Sequence, residues 1–283
     1  MQKVAILGAG TMGLGIAQVC AAAGSEVALF DARPEAVDRA LATVRAQLDQ
    51  GVAKGKVTPE QRDAALGRLR AAADVPGACA DADLVVEAIY EDADAKRALL
   101  AAAERAAPGR AIVASNTSSL SIDGLAAALT RPERFLGMHF FNPVHLMPLL
   151  ELVRGAATSD DALAAARAYG AALGKETIVV RDAPGFATSR LGVALGMEAI
   201  RMVEQGVASP EDIDKAMVLG YRHPVGPLRL TDMVGLDVRL AIGEHLAAEL
   251  GNPAFEPPAL MRQMVTAGKL GKKAGQGFYT WDR

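Results

Sequence analysis

The chain is short of several features that mark other classes of protein. It has only two cysteines, Cys20 and Cys79, in no metal-ligand spacing. Both are expected to be reduced thiols. There is no basic excess. Its 30 Lys and Arg stand against 33 Asp and Glu spread along the sequence, which excludes the basic stripe of a nucleic-acid binder. No apolar run reaches the roughly 18 residues that a membrane span needs. The N-terminus passes directly into Val4-Ala5-Ile6-Leu7 without a charged leader, so the expectation is no secretion and a cytoplasmic location. What the chain has is apolar bulk. Of its 283 residues 51% are hydrophobic, too many for disorder and enough for the cores of two ordinary domains.

The first part alternates short apolar runs with helical patterns, as a parallel sheet covered by helices does. Strands are predicted at Val4 to Leu7, Val27 to Phe30, Leu84 to Ile89, Ala111 to Ala114, Phe135 to Phe140, Leu149 to Val153 and Thr177 to Val180. Helices are predicted between them, among others at Asp92 to Ala106 and Asp160 to Leu173. From Asp182-Ala183-Pro184-Gly185 onward the strand signals nearly vanish. Phe186, Val193, Met197 and Ile200 then mark one face of a long helix ending near Gly206. Ser209-Pro210-Glu211-Asp212 opens another, with Ser as N-cap and Pro at the first helical position, and Gly220 closes it. The expected fold is α/β, with a Rossmann-type doubly wound, mostly parallel sheet over residues 1–183. A smaller all-helical domain is expected over 184–283.

Gly8-Ala9-Gly10-Thr11-Met12-Gly13 fits G-x-G-x-x-G directly after the first strand and at the start of a helix. Gly8 permits the tight turn, Gly10 lets the backbone approach a pyrophosphate, and Gly13 lets helix and strand pack closely. The helix start, Thr11 and Met12 included, offers N–H groups and a positive dipole end to the phosphates. The second strand ends at Asp31, 21 residues after Gly10, where an acid bonds the ribose hydroxyls and repels a 2′-phosphate. The pattern therefore favours NAD over NADP, with Arg33 nearby tempering the preference. FAD uses the same fingerprint, and a Gly-rich turn that only packs is the bland alternative.

Met138-His139-Phe140-Phe141-Asn142-Pro143 sets a histidine in an apolar extended run that stops at an Asn-Pro turn signal. Glu151 follows within Leu149-Leu150-Glu151-Leu152-Val153. A buried unpaired carboxylate is expensive, and a histidine on a neighbouring strand is its obvious partner. A neutral imidazole so oriented can take a hydroxyl proton as hydride leaves. A satisfied core histidine and an edge-strand glutamate are the alternative. Ser115-Asn116-Thr117-Ser118-Ser119 lies at the carboxyl end of a strand, where open α/β sheets bind ligands. Its small polar groups suit a substrate oxygen, and suit equally the capping of a helix starting near Ser121.

These motifs, with Val85-Val86-Glu87-Ala88-Ile89-Tyr90-Glu91 and Pro184-Gly185-Phe186, resemble the short-chain L-3-hydroxyacyl-CoA dehydrogenase family. That family includes bacterial 3-hydroxybutyryl-CoA enzymes, and the similarity runs in order over essentially the whole chain. The resemblance implies His139 as catalytic base, Glu151 as its orienting partner and Ser118 as the serine on the substrate oxygen. It implies that Glu91 and Lys96 line the NAD site, with Asn116 on the cofactor side and Asn142 on the substrate side. Lys54 and Lys56 match a stretch that meets the CoA nucleotide, where a solvated loop is the plain alternative. The helical domain is implied to form a homodimer contact. One departure stands out. The family continues after Pro-Gly-Phe to an Asn-Arg pair whose asparagine bonds substrate, and here the pair is Ser189-Arg190. Serine keeps one donor and acceptor but is shorter, and a bridging water would make up the reach.

Two rival readings accompany this one. The scaffold also resembles sugar-acid dehydrogenases of the L-gulonate type, for which Arg190 would meet a free carboxylate. A structural protein that keeps NAD without turnover, as lens crystallins of this family do, is the third, and the intact His139–Glu151 pair argues against it.

Overall fold

A computed structural model describes residues 1–282. They form two compact units, Met1–Ala183 and a second beginning at Pro184. The first holds eight strands: β1 (Lys3–Leu7), β2 (Glu26–Phe30), β3 (Leu69–Ala71), β4 (Leu84–Glu87), β5 (Ile112–Ser115), β6 (Phe135–Phe140), β7 (Leu149–Arg154) and β8 (Glu176–Arg181). Helices α1 (Thr11–Ala22), α2 (Pro34–Ala53), α3 (Pro59–Gly67), α4 (Val75–Cys79), α5 (Ala93–Ala106), α6 (Ile122–Ala126) and α7 (Asp160–Ala172) connect them.

The sheet runs in the order β3-β2-β1-β4-β5-β6-β7-β8. β1 to β6 are mutually parallel, while β7 runs antiparallel to β6 and carries β8 parallel to itself. The first six strands thus follow the doubly wound dinucleotide-binding order. β4, β5 and β6 are buried at every position, which is why they read as apolar runs without alternation. β8 is an edge strand and largely exposed.

β3 is a strand the sequence pattern does not announce. Leu-Arg-Ala has no β-branched residue and no alternation, and it is extended because it pairs with β2. The extended run expected at Leu84 to Ile89 stops at Glu87, where the chain bends to form a loop.

The second unit contains α8 (Thr188–Glu204), α9 (Pro210–Lys215), α10 (Pro227–Val234), α11 (Leu236–Leu250) and α12 (Ala259–Thr266). Val193, Met197 and Ile200 of α8 pack with Ile213, Leu228, Leu236, Leu246 and Met261 into its core. Ser209 caps α9 by accepting from the Asp212 N–H. The helix expected to reach Gly220 is α-helical only to Lys215 and finishes in a π-type turn over Ala216–Gly220. Among the described residues no helix is long and apolar enough to cross a membrane.

Candidate active site

The glycine fingerprint builds a nucleotide cradle. Gly8 has φ +113°, and a Cβ there would lie 2.6 Å from the Ala88 carbonyl oxygen. A Cβ on Gly13 would lie 1.8 Å from the Gly8 carbonyl oxygen, so only glycine lets α1 sit on this turn. Gly10 faces open space, and a side chain there would fill room that a pyrophosphate needs. α1 begins without a side-chain cap and without an acid in its first turn, whereas α3, α5 and α7 are capped by Thr58, Asp92 and Ser159. Its N–H groups are thus left to an anion. A cavity of about 930 Å³ opens here, walled by Gly8, Gly10, Thr11 and Met12 on one side and by Ala88, Ile89, Tyr90 and Leu99 on another. These residues fit a dinucleotide.

Asp31 and Arg33 line the same cavity. Asp31 accepts from the Ala9 N–H at 2.9 Å and from the Arg33 N–H at 3.0 Å, so the acid also ties the glycine turn to the end of β2. Burial works to raise its carboxyl. The two backbone donors and the Arg33 guanidinium outweigh that and hold it below the ordinary value.

The second centre forms where β5, β6 and β7 meet. His139 and Glu151 are register partners in the antiparallel β6–β7 pair, so their side chains leave the sheet on one face. Nδ1 of His139 lies 2.9 Å from Oε2 of the fully buried Glu151. An ionised carboxylate can only accept, so Nδ1 donates to it, and in the neutral imidazole the lone pair then lies on Nε2. Phe141 packs against the imidazole with ring centroids 4.4 Å apart. Asn116 ties this centre to the neighbouring strand: its Oδ1 accepts from the Phe140 N–H at 2.9 Å. Asn142 is exposed and joined to Pro143 by a cis peptide bond.

The loop after β5 is held by Glu91. That carboxylate accepts from the Thr117 hydroxyl, from the Ser118 N–H at 2.9 Å and from the Ser118 and Ser119 hydroxyls at 3.4 and 3.2 Å. Burial works to raise Glu91, and the Lys96 charge with these donors outweighs it, so its pKa falls.

Lys96 is the other residue expected at the cofactor site. It is 1% exposed, with Nζ 2.6 Å from Glu87 and 3.3 Å from Glu91. α5 presents Ala95, Ala98 and Leu99 to the cavity. Lys54 and Lys56 stand exposed in the turn between α2 and α3. Ser189 is the second residue of α8, half-buried. Glu87, missed in the sequence, carried the signal that flagged Glu151, a carboxylate in an apolar strand. Among the described residues no cluster of His, Cys, Asp or Glu could hold a metal ion.

A doubly wound sheet with a dinucleotide cradle, beside a buried histidine–carboxylate pair, defines an NAD-binding dehydrogenase. Residues 3–183 match the family model described as 3-hydroxyacyl-CoA dehydrogenase, NAD binding domain, and residues 185–281 that of its C-terminal domain. The chain belongs to the 3-hydroxyacyl-CoA dehydrogenase family. It is 44% identical over 283 residues to 3-hydroxybutyryl-CoA dehydrogenase of Mycobacterium tuberculosis strain H37Rv, with 99% of each chain covered. It is 42% identical over 282 residues to a probable 3-hydroxybutyryl-CoA dehydrogenase of Bacillus subtilis, with 100% of this chain and 98% of that one covered. The crystal structure of (S)-3-hydroxybutyryl-CoA dehydrogenase from Ralstonia eutropha matches with a TM-score of 0.95 at 44% identity, over 100% of both chains.

Proposed function

We propose that the enzyme oxidises the 3-hydroxyl of a short 3-hydroxyacyl-CoA thioester, 3-hydroxybutyryl-CoA above all, with His139 as base. The 2.9 Å contact between His139 and buried Glu151 carries this reading. The relatives' names favour an acyl-CoA thioester over a sugar acid. Bound NAD supplies the acceptor for the hydride that leaves C3. His139 Nε2 takes the hydroxyl proton in the same step, and Glu151 stabilises the imidazolium that results. Such general-base help contributes roughly 10²–10⁴-fold in rate. Ser118, in the loop after β5, holds the substrate oxygen. Gly8, Gly10, Thr11, Met12 and Gly13 bind the pyrophosphate and Asp31 the ribose, with Glu91, Lys96 and Asn116 supporting the cofactor side. Asn142, Ser189, Lys54 and Lys56 are assigned to the substrate.

The helical unit is assigned to a homodimer contact, supported by Leu191, Leu219, Tyr221, Met233 and Val238, which stand exposed there. A cytoplasmic location suits Cys20 and Cys79, two free buried thiols that burial pushes up to about 12. The deciding experiment is NADH oxidation with acetoacetyl-CoA, longer 3-oxoacyl-CoAs and a 3-oxo sugar acid. Turnover fastest with acetoacetyl-CoA supports the reading. Turnover with the sugar acid alone, or with none, overturns it.

A further inference from the structure

Glu87 ends β4, whose other residues are apolar, and it is fully buried. Its Oε1 accepts from the Ile89 N–H at 2.7 Å and from Lys96 Nζ at 2.6 Å. Its Oε2 accepts from the Ser115 hydroxyl, which itself accepts from the Thr117 N–H. Lys96 also donates to the Ile89 carbonyl at 3.2 Å and lies 3.3 Å from Glu91. Glu91 then takes the Thr117 hydroxyl and the Ser118 N–H. An unbroken line of polar contacts therefore runs from Ser115 through Glu87, Lys96 and Glu91 to Ser118.

Folding stability alone does not account for this line. Taking a lysine and its carboxylate partner out of water is expensive, and apolar side chains of similar volume often serve stability as well or better. A satisfied polar network does something apolar packing does not: it fixes atoms in one geometry. At the middle of this network Glu87 and Lys96 hold the backbone of Ile89, which with Ala88 and Tyr90 walls the cofactor cavity. Both its ends lie in the loop 115–119, which carries Ser118.

We propose that Glu87 is a positioning residue, which through Lys96 and Ser115 sets the Ser118 hydroxyl relative to the cofactor wall at residues 88–90. The reaction then depends on a carboxylate that touches neither substrate nor cofactor. This inference rests on the assignment of Ser118 to the substrate oxygen.

The test is a double-mutant cycle on purified full-length enzyme, following kcat and KM for acetoacetyl-CoA with NADH. Glu87→Gln is isosteric and keeps an oxygen acceptor. Ser115→Ala removes one hydroxyl from Glu87 and carries the cycle should Glu87→Gln not fold. Glu87→Gln is expected to lower kcat per folded enzyme about tenfold or more, as the loss of a hydrogen bond to a charged group does, and Ser115→Ala severalfold. In a Ser118→Ala background both losses should largely disappear, because the serine no longer has a position to lose. Losses that multiply independently with Ser118→Ala overturn the inference and leave the serine's role standing. So does a variant that lowers only the melting temperature. An inert Ser118→Ala overturns the assignment of the serine, and this inference with it.

Discussion

His139 and Glu151 stand directly opposite each other across β6 and β7, with Nδ1 and Oε2 2.9 Å apart. The reversal of β7 makes this possible, since an antiparallel pair places opposed residues on the same face with their side chains adjacent. A slip of one residue would turn every side chain of β7 to the other face.

If His139 is the base, His139→Ala lowers kcat by about 10²-fold or more with NADH binding nearly unchanged. Glu151→Gln should fall in the same direction with the fold kept. Steady-state kinetics beside a fluorescence titration with NADH check both, and a His139→Ala enzyme with near wild-type kcat would remove the assignment.

Asp31 should make NAD the preferred coenzyme. Because it also accepts from the Ala9 N–H, Asp31→Ala is expected to weaken both coenzymes through the loosened turn. The informative quantity is therefore the ratio. The kcat/KM preference for NADH over NADPH should narrow in the variant, whereas a wild-type enzyme equally good with NADPH would give control of the pocket to Arg33.

Gly13→Ala drives a methyl group against the Gly8 carbonyl. Overpacking of this kind costs about 1–3 kcal/mol, and here the strain falls on the phosphate-binding turn. Loss of measurable NADH binding with a lowered Tm is expected. Unchanged NADH affinity would mean that the turn relaxes without consequence.

Glu104 accepts from the Thr130 N–H and hydroxyl and the Arg131 N–H. Burial works to raise its pKa, and these donors with the Arg131 charge hold it below the ordinary 4.5. A depressed folded-state pKa contributes stability that is present above the unfolded value and is lost as pH falls through the folded one. The Tm difference between wild type and Glu104→Gln should therefore be largest above about pH 4.5 and close at lower pH. A difference independent of pH would contradict the ionic origin.

The resemblance implies that Ser189 stands where the family carries asparagine, and we assign it to the substrate. Ser189→Asn is expected to raise kcat/KM for acetoacetyl-CoA severalfold, the worth of about one hydrogen bond, while long 3-oxoacyl-CoAs lose ground. Kinetics matching wild type across the chain-length series would separate Ser189 from the substrate.

The sequence by itself determined what depends on near neighbours. Gly8 to Gly13, the helix that follows and Asp31 at the end of β2 were legible because a tight turn, a helix start and a strand end are set within a few residues. The change of character near Pro184 was legible because the hydrophobic period changes there. The tertiary structure alone decided the partners of buried charges. The pairing of Lys96 with Glu87 follows from the packing of α5 beside β4. Asn116 read as a ligand, and the adjacency of β5 and β6 engages its oxygen with the Phe140 N–H. β3 exists only because β2 offers it a ladder. In each case a polar group takes the complementary group that tertiary packing places within about 3 Å, and distance along the chain does not fix that packing.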